Sequence, residues 1–379
     1  MELSLALAVL VAYAILSKKR RLRSLPPSPN SHLLFGHLFM LPTSEEHIVY
    51  RDIAKQLNSD IISFTALGQV IIVLNSIESA TELLSKRGAI YSDRPQLPIL
   101  KDEKLAGWGK NTGFLAYGER WKKQRYRTQA ILEPNASGAL SSKMTKQARL
   151  SMRRLLSRPE GAAEELRWMT AAIMLSCIYG YEASYPDDEL VRLIEISNDQ
   201  LCEAAIPNTH VPSWAPGAAW KRRANEWRLG KDRVVNEPLE WTKSQMAAGV
   251  ASSSISETLL TEMATSEIPD SCVEEEEDVI RWVAGTLYSA GADTTVATET
   301  NFVLAMVLHP EVQKKAQAEL DRVLGGRLPE LSDRESLPYL DAVMKEVMRW
   351  RPVVPMGLPR ATSKEDVYGS YLIPKGAIV

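Results

Sequence analysis

From Ile77 almost to the end of the chain, apolar residues recur at three- and four-residue spacings, the period of amphipathic helices. The pattern predicts helices over residues 77–86, 119–132, 139–157, 160–179, 187–204, 218–247, 254–265, 277–308, 310–324 and 335–350. Residues 60–76 (DIISFTALGQVIIVLNS) instead hold two β-branched runs on either side of Leu67-Gly68-Gln69, the pattern of a hairpin of edge strands. At the start of the chain, Leu3 to Leu16 is free of charge and is followed at once by Lys18, Lys19, Arg20, Arg21 and Arg23. As a helix this run spans roughly 21 Å, short of a ~30 Å hydrocarbon core, so flanking residues must snorkel or the bilayer must thin. A cleaved signal peptide carries its positive charge ahead of the apolar run; here the charge lies behind it, which keeps the rest of the chain cytoplasmic. The expected organisation is a transmembrane anchor over 1–17, a basic and proline-rich hinge over 18–29 that holds the body off the membrane, and a mainly α body with small β-sheets over 30–379.

Composition narrows the function classes. With 45% hydrophobic and 24% charged residues the body is globular, and a formal charge of -2 gives no electrostatic footprint for nucleic acid. Cys177, Cys202 and Cys272 are odd in number and widely spaced, which fits thiols in a reducing compartment and not a disulfide framework. The acidic block Glu274–Asp278 reads as the start of a helix, where carboxylates offset the partial positive charge. Phosphate-loop, dinucleotide, hydrolase-elbow and zinc-protease signatures do not occur.

Three segments carry chemistry. The long helix has at its middle Ser289-Ala290-Gly291-Ala292-Asp293-Thr294-Thr295-Val296, small residues that let a flat ligand approach the backbone beside an acid and hydroxyls able to relay protons. The alternative is that Gly291 eases helix packing and Asp293 is solvated. Glu346 and Arg349, at i and i+3 in LPYLDAVMKEVMRWRP, share a helix face that Val343, Val347, Met348 and Trp350 predict to be partly buried. Trp121 and Arg125, at i and i+4, offer an indole N–H and a cation to an anionic group, or form a snorkelling arginine on a core tryptophan.

In this order and spacing the three segments resemble the cytochrome P450 family along essentially the whole chain. Ala290-Gly291-Ala292-Asp293-Thr294-Thr295 is similar to the family's oxygen-activating motif, Glu346 and Arg349 to its E-x-x-R pair, and Trp121 with Arg125 to its W-x-x-x-R. Stretches such as Tyr91-Ser92-Asp93-Arg94-Pro95 and Tyr371-Leu372-Ile373-Pro374-Lys375-Gly376 resemble fungal, basidiomycete-like microsomal members. The resemblance implies a P450-like fold and a haem (heme) cofactor whose propionates Trp121, Arg125 and Arg360 hold, with Ala290 against it. It implies that Asp293 and Thr294 deliver protons to bound dioxygen, that Gly291 makes room over the haem, and that Glu346 and Arg349 are structural. Residues 95–114, 205–220, the helix around Tyr288 and Ala292, and 353–358 would line the substrate. The implied reaction is oxygenation of a small lipophilic secondary metabolite, of terpenoid or polyketide type, with electrons from NADPH through a separate reductase at the endoplasmic reticulum membrane.

The family's F-x-x-G-x-R-x-C-x-G loop, whose cysteine is the axial iron ligand, does not occur in these 379 residues, and none of the three cysteines has its surroundings. The chain therefore reads as a P450 lacking its haem-ligand portion, with no metal ligand of its own. An incomplete record of a working enzyme, an inactive remnant and a haem-free binding or scaffold protein all remain open at this point.

Overall fold

The computed structural model describes residues 25–132, 138–205 and 220–379. The anchor expected over 1–17, the basic part of the hinge and the lining segment 206–219 lie outside the described residues. Among the described residues no helix is long and apolar enough to cross a membrane.

The chain divides into two units, one made of residues up to Gln96 together with Met356–Val379, the other of Leu97–Pro355. The first is the smaller and holds the sheets. Helix α1 (Glu46–Leu57) precedes strands β1 (Ile61–Ala66) and β2 (Gln69–Leu74), which pair antiparallel with Ile61 opposite Leu74. The turn between them needs positive φ at Leu67 (48°) and Gly68 (88°). Strands β3 (Asp366–Tyr368) and β4 (Tyr371–Ile373) form a second hairpin. The end of the chain returns to β2: Ile378 N–H donates to Val70 O at 2.9 Å and Ile72 N–H to Ile378 O at 2.7 Å.

Leu25–Pro29 belongs to this unit rather than standing off as a spacer. Leu25 is buried with Ile61, Val70 and Tyr91, and Ser63 donates from Oγ to Pro26 O (2.7 Å) and from N–H to Pro27 O (2.9 Å). Proline carbonyls are free to accept because the ring leaves no N–H to pair along a strand.

The second unit is helical: α2 (Glu119–Leu132), α3 (Gly138–Ser157), α4 (Ala162–Tyr179), α5 (Glu189–Ala205), α6 (Trp220–Ala247), α7 (Ile255–Thr265), α8 (Asp270–Leu308), α9 (Pro310–Leu324) and α10 (Pro338–Trp350). Its main core joins Leu175, Ile178 and Tyr179 of α4, Val191 and Ile194 of α5, Val234 and Leu239 of α6, Leu259 of α7, and Val279, Ile280, Val283, Ala284 and Tyr288 of α8. Residues 97–108 turn Ile99, Leu100 and Trp108 into a second cluster with Trp227, Val235 and Trp282.

Helix α8 starts at Asp270, so its 39 residues run roughly 58 Å at about 1.5 Å per residue. The acidic block therefore lies inside the helix and not at its start. Its carboxylates receive cations mostly from neighbouring elements: Glu276 takes Lys123 and Arg127, Asp278 takes Lys110 (3.1 Å) and Arg120 (2.6 Å), and Glu277 takes Lys243 (2.9 Å) and, from α8 itself, Arg281 (2.7 Å). Burial pushes Asp278 up, but the hydrogen bonds from Arg120 and Lys110 outweigh it and leave the carboxyl below its ordinary value. These pairs fix α2 on the N-terminal half of α8.

Candidate functional site

A helix turns about 100° per residue, so the motif on α8 distributes its side chains around three sides. Thr286, Ala290 and Thr294, at i, i+4 and i+8, make one stripe. Ala290 and Thr294 are exposed, and Thr294 Oγ1 donates to Ala290 O at 2.8 Å, a back-bond to the preceding turn that fixes the hydroxyl. The stripe is small-sided where it is open. At its N-terminal end it is closed by a buried polar chain: Thr112 N–H donates to Thr286 Oγ1 (3.2 Å), Thr112 Oγ1 to Gln124 Oε1 (2.6 Å), and Gln124 Nε2 to Lys110 O (3.2 Å).

Asp293 leaves the helix on a different side. It enters a cavity of about 70 Å³ between α4, α5 and α8, lined also by Arg167, Glu195, Asn198 and Asp199, space for a very few waters. Asn198 is tied to α8 by Nδ2 donating to Ser289 O at 3.1 Å. Burial pushes Glu195 above its ordinary value against the opposing pull of Arg167, and Asp199 adds to the rise. Thus the helix turns the neighbours apart: both are exposed, Thr294 on the open stripe and Asp293 at the border of a charged recess. Glu195, Asp199 and Arg167 were not legible as partners, since spacing along α4 and α5 says nothing of what crosses α8.

Gly291 packs against α4. A Cβ there would come 2.5 Å from Met174 Sδ, so the glycine admits a neighbouring helix rather than opening room above a ligand. Tyr288 and Ala292, expected to line substrate, are also turned inward; Tyr288 is fully buried and its hydroxyl donates to Leu190 O at 2.9 Å.

Trp121 and Arg125 lie one turn apart on α2, flanking the face that Arg120, Lys123 and Arg127 turn to α8. The Arg125 guanidinium stands 5.8 Å from the Trp121 ring centre, and Tyr117 packs on the same indole at 5.2 Å. Among the described residues neither Arg125 nor Arg360 has a carboxylate within ion-pair distance, unlike Arg120 and Arg127, which share α2 with Arg125. A cation stacked on an indole and left without an acid is suited to an anionic group of a ligand. Arg360 belongs to the other unit, where its backbone pairs with Val379 in both directions at 2.9 Å.

Glu346 and Arg349 do form the bidentate pair expected of them, with contacts of 2.7 and 2.6 Å. They are exposed, however, at 58% and 72% of their side chains. The face of α10 that is buried carries Val343 and Val347, packed on Ala305 and Met306 of α8. An apolar recess of about 300 Å³ opens beside the pair, with His309 and Trp350 at its edge.

The residues fit a haem on two counts. The open Ala290/Thr294 stripe leaves a flat group room, and the Trp121–Arg125 pair offers a cation and an N–H to propionates. The axial thiolate is not supplied by the three cysteines. Such a ligand needs a lowered thiol pKa, whereas burial pushes Cys177 up to about 11, with its S–H towards Leu140 O. Cys202 is raised by burial and by the charges of Asp293 and Asp199, and Cys272 is exposed on the first turn of α8 beside Ser271.

Comparison with known proteins bears on the same reading. The family description "Cytochrome P450" matches residues 26–379. Cytochrome P450 monooxygenase COX2 of Coprinopsis cinerea is 37% identical over 98% of this chain and 72% of its own length. Cytochrome P450 monooxygenase 208 of Postia placenta is 38% identical over 94% and 70%, and tryptamine 4-monooxygenase of Psilocybe cyanescens 35% over 99% and 75%. Among solved structures, a zebrafish cytochrome P450 with progesterone superposes with a TM-score of 0.72, covering 88% of this chain and 77% of that one at 24% identity.

Proposed function

We propose, on the premise that the chain belongs to the cytochrome P450 monooxygenase family, that it oxygenates a small lipophilic secondary metabolite in a fungal biosynthetic pathway. Haem, when bound, supplies the iron at which dioxygen is activated. Trp121 and Arg125 would hold its propionates through the indole N–H and the guanidinium. Thr294 presents its hydroxyl on the open stripe, where a proton is needed. Asp293 lines the recess with Glu195 and Asp199, one residue from Thr294, and is the acid assigned to proton relay. Electrons come from NADPH through a separate reductase, at the endoplasmic reticulum membrane to which Leu3–Leu16 attaches the chain.

The observation that carries the reading is an exposed threonine, its hydroxyl fixed on Ala290 O, next to an exposed acid that borders the recess between α4, α5 and α8. The relatives named above support the coarser part of the reading, since they are fungal monooxygenases, one of them named for tryptamine. A terpenoid or polyketide is the class we favour.

The test is expression with the reductase in a haem-replete host. Because the three cysteines of these 379 residues do not supply the axial thiolate, the chain is expressed continued through a loop of the F-x-x-G-x-R-x-C-x-G type, and the carbon-monoxide difference spectrum of reduced membranes should then show a thiolate-type Soret band. Thr294→Ala should keep that band and divert at least several-fold more NADPH oxidation into hydrogen peroxide. Folded protein without the band favours the haem-free binding reading, and an unchanged peroxide share in Thr294→Ala removes the threonine from proton delivery.

A further inference from the structure

Threonines along α8 differ in where their hydroxyl hydrogens go. Thr294 donates to Ala290 O at 2.8 Å and Thr298 to Thr294 O at 3.0 Å, each engaged by the preceding turn. Thr286, at the head of the Thr286/Ala290/Thr294 stripe, makes no such bond among the described residues; its contacts run to Thr112 instead.

Those contacts decide what the hydroxyl has left to offer. A hydroxyl has one hydrogen to give and two lone pairs with which to accept. Gln124 is fully buried, and its Nε2 must face Lys110 O (3.2 Å), because turning the amide over would set two carbonyl oxygens against each other. Oε1 is therefore the acceptor for Thr112 Oγ1 at 2.6 Å, which commits the hydroxyl hydrogen of Thr112. Thr112 N–H donates to Thr286 Oγ1 at 3.2 Å, so Thr286 accepts in this chain of bonds. The two threonine oxygens stand 3.4 Å apart, beyond the roughly 2.5–3.0 Å of a hydroxyl pair. The Thr286 hydrogen thus has no close acceptor among the described residues, while the buried Thr112 behind it holds its oxygen in place.

The surroundings set the charge of what can accept that hydrogen. Asp278, two turns back on α8, is engaged by Lys110 and Arg120, and Asp293 lies on another side of the helix at the border of its recess. Thr286 is left as a neutral donor at this end of the stripe, which suits an uncharged oxygen: a carbonyl, an ether or a hydroxyl.

We propose that Thr286 is a specificity-determining residue, whose hydroxyl donates to a neutral oxygen that the substrate already carries, about two helical turns (~12 Å along α8) from Thr294. The proposal rests on the monooxygenase reading and narrows it. A lipophile with an oxygen at one end is held with its other end towards Thr294, whereas a bare hydrocarbon leaves a half-buried donor unpaired. The reaction that supplies this substrate is then one that has already installed an oxygen function.

The experiment uses the continued, haem-loaded chain and two rigid probes of one skeleton, 4-phenylcyclohexanone and phenylcyclohexane. Dissociation constants are read from the Soret shift on titration. Thr286→Val should weaken the ketone about ten-fold and the hydrocarbon by less than about two-fold. Thr286→Ser keeps the hydroxyl and should stay within about three-fold of the unsubstituted chain for both probes. The carbonyl stretch of isotope-labelled ketone should lie lower in the unsubstituted chain and in Thr286→Ser than in Thr286→Val. Equal losses for both probes in Thr286→Val mean that Thr286 only holds Thr112 in place, and overturn the proposal. Unchanged ketone binding in Thr286→Val overturns it too, as does binding of neither probe to protein that shows the Soret band. In each of these outcomes the band persists and the monooxygenase reading stands; folded protein without the band ends both.

Discussion

Asp293 and Thr294 are adjacent in sequence yet open onto different environments, and each can be probed on its own side. Cys202 is raised by burial first and by Asp293 next, so Asp293→Asn should lower its pKa and speed alkylation by iodoacetamide at pH 8 a few-fold in a Cys272→Ser background. Glu299, one and a half turns on, is pushed by burial from 4.5 to about 6 while Thr170 pulls weakly the other way. The folded state thus binds the proton more tightly than the unfolded one, so this group's contribution is favourable below pH ~4.5 and is lost as pH rises to ~6. Glu299→Gln should remove that decline, worth about 1 kcal/mol once water reaching this partly open group is allowed for, as read by urea unfolding at pH 5 and 7.5. At Gly291 the added methyl of Gly291→Ala meets the flexible end of Met174 while the helix gains propensity, and stability should change by less than about 1 kcal/mol. Residue types were legible here and directions were not. The string Ala290–Thr295 announces a site, but only the packing of α4 and α5 shows that Gly291 and Tyr288 turn away from the open stripe.

At the scale of elements, the acidic turns of α8 are the point where α2, α6 and α7 are tied down. Glu276 is 6% exposed and joins Lys123 and Arg127, and Arg127 continues to Glu262 of α7. Glu276→Ala should cost about 2 kcal/mol, measured by chemical denaturation, because two cations lose their buried partner. The period of apolar residues placed eight helices of the second unit to within three residues, the ninth with a late start, and the hairpin Ile61–Leu74 as well. The largest error was the start of α8. Ser271, Cys272 and Val273 show no stripe, and the acids beyond them imitate a helix N-terminus although most of their partners come from other elements. Helix α1 escaped the reading because its stripe of Tyr50, Ala54 and Leu57 is brief and interleaved with Arg51, Asp52 and Lys55. Glu346 and Arg349 pair as their spacing requires. Their exposure was not legible, since Val343 and Val347 supply the whole buried face of α10.

At the scale of the molecule, the smaller unit is assembled from two stretches separated by the entire larger one. Ile378 is the joint, giving its N–H to Val70 and its carbonyl to Ile72. Ile378→Pro removes the donor and clashes with that register, and should increase proteolysis within residues 60–96 several-fold, read by limited digestion, while 97–355 stays protected. The joint also imposes an order in time. On a ribosome adding about 5–20 residues per second, Val70 and Ile72 emerge with an edge unpaired and wait roughly 15–60 seconds for residue 378. Throughout that interval the hairpin is a nascent sheet with an open edge, and whatever shields that edge determines how much of the chain reaches its final pairing.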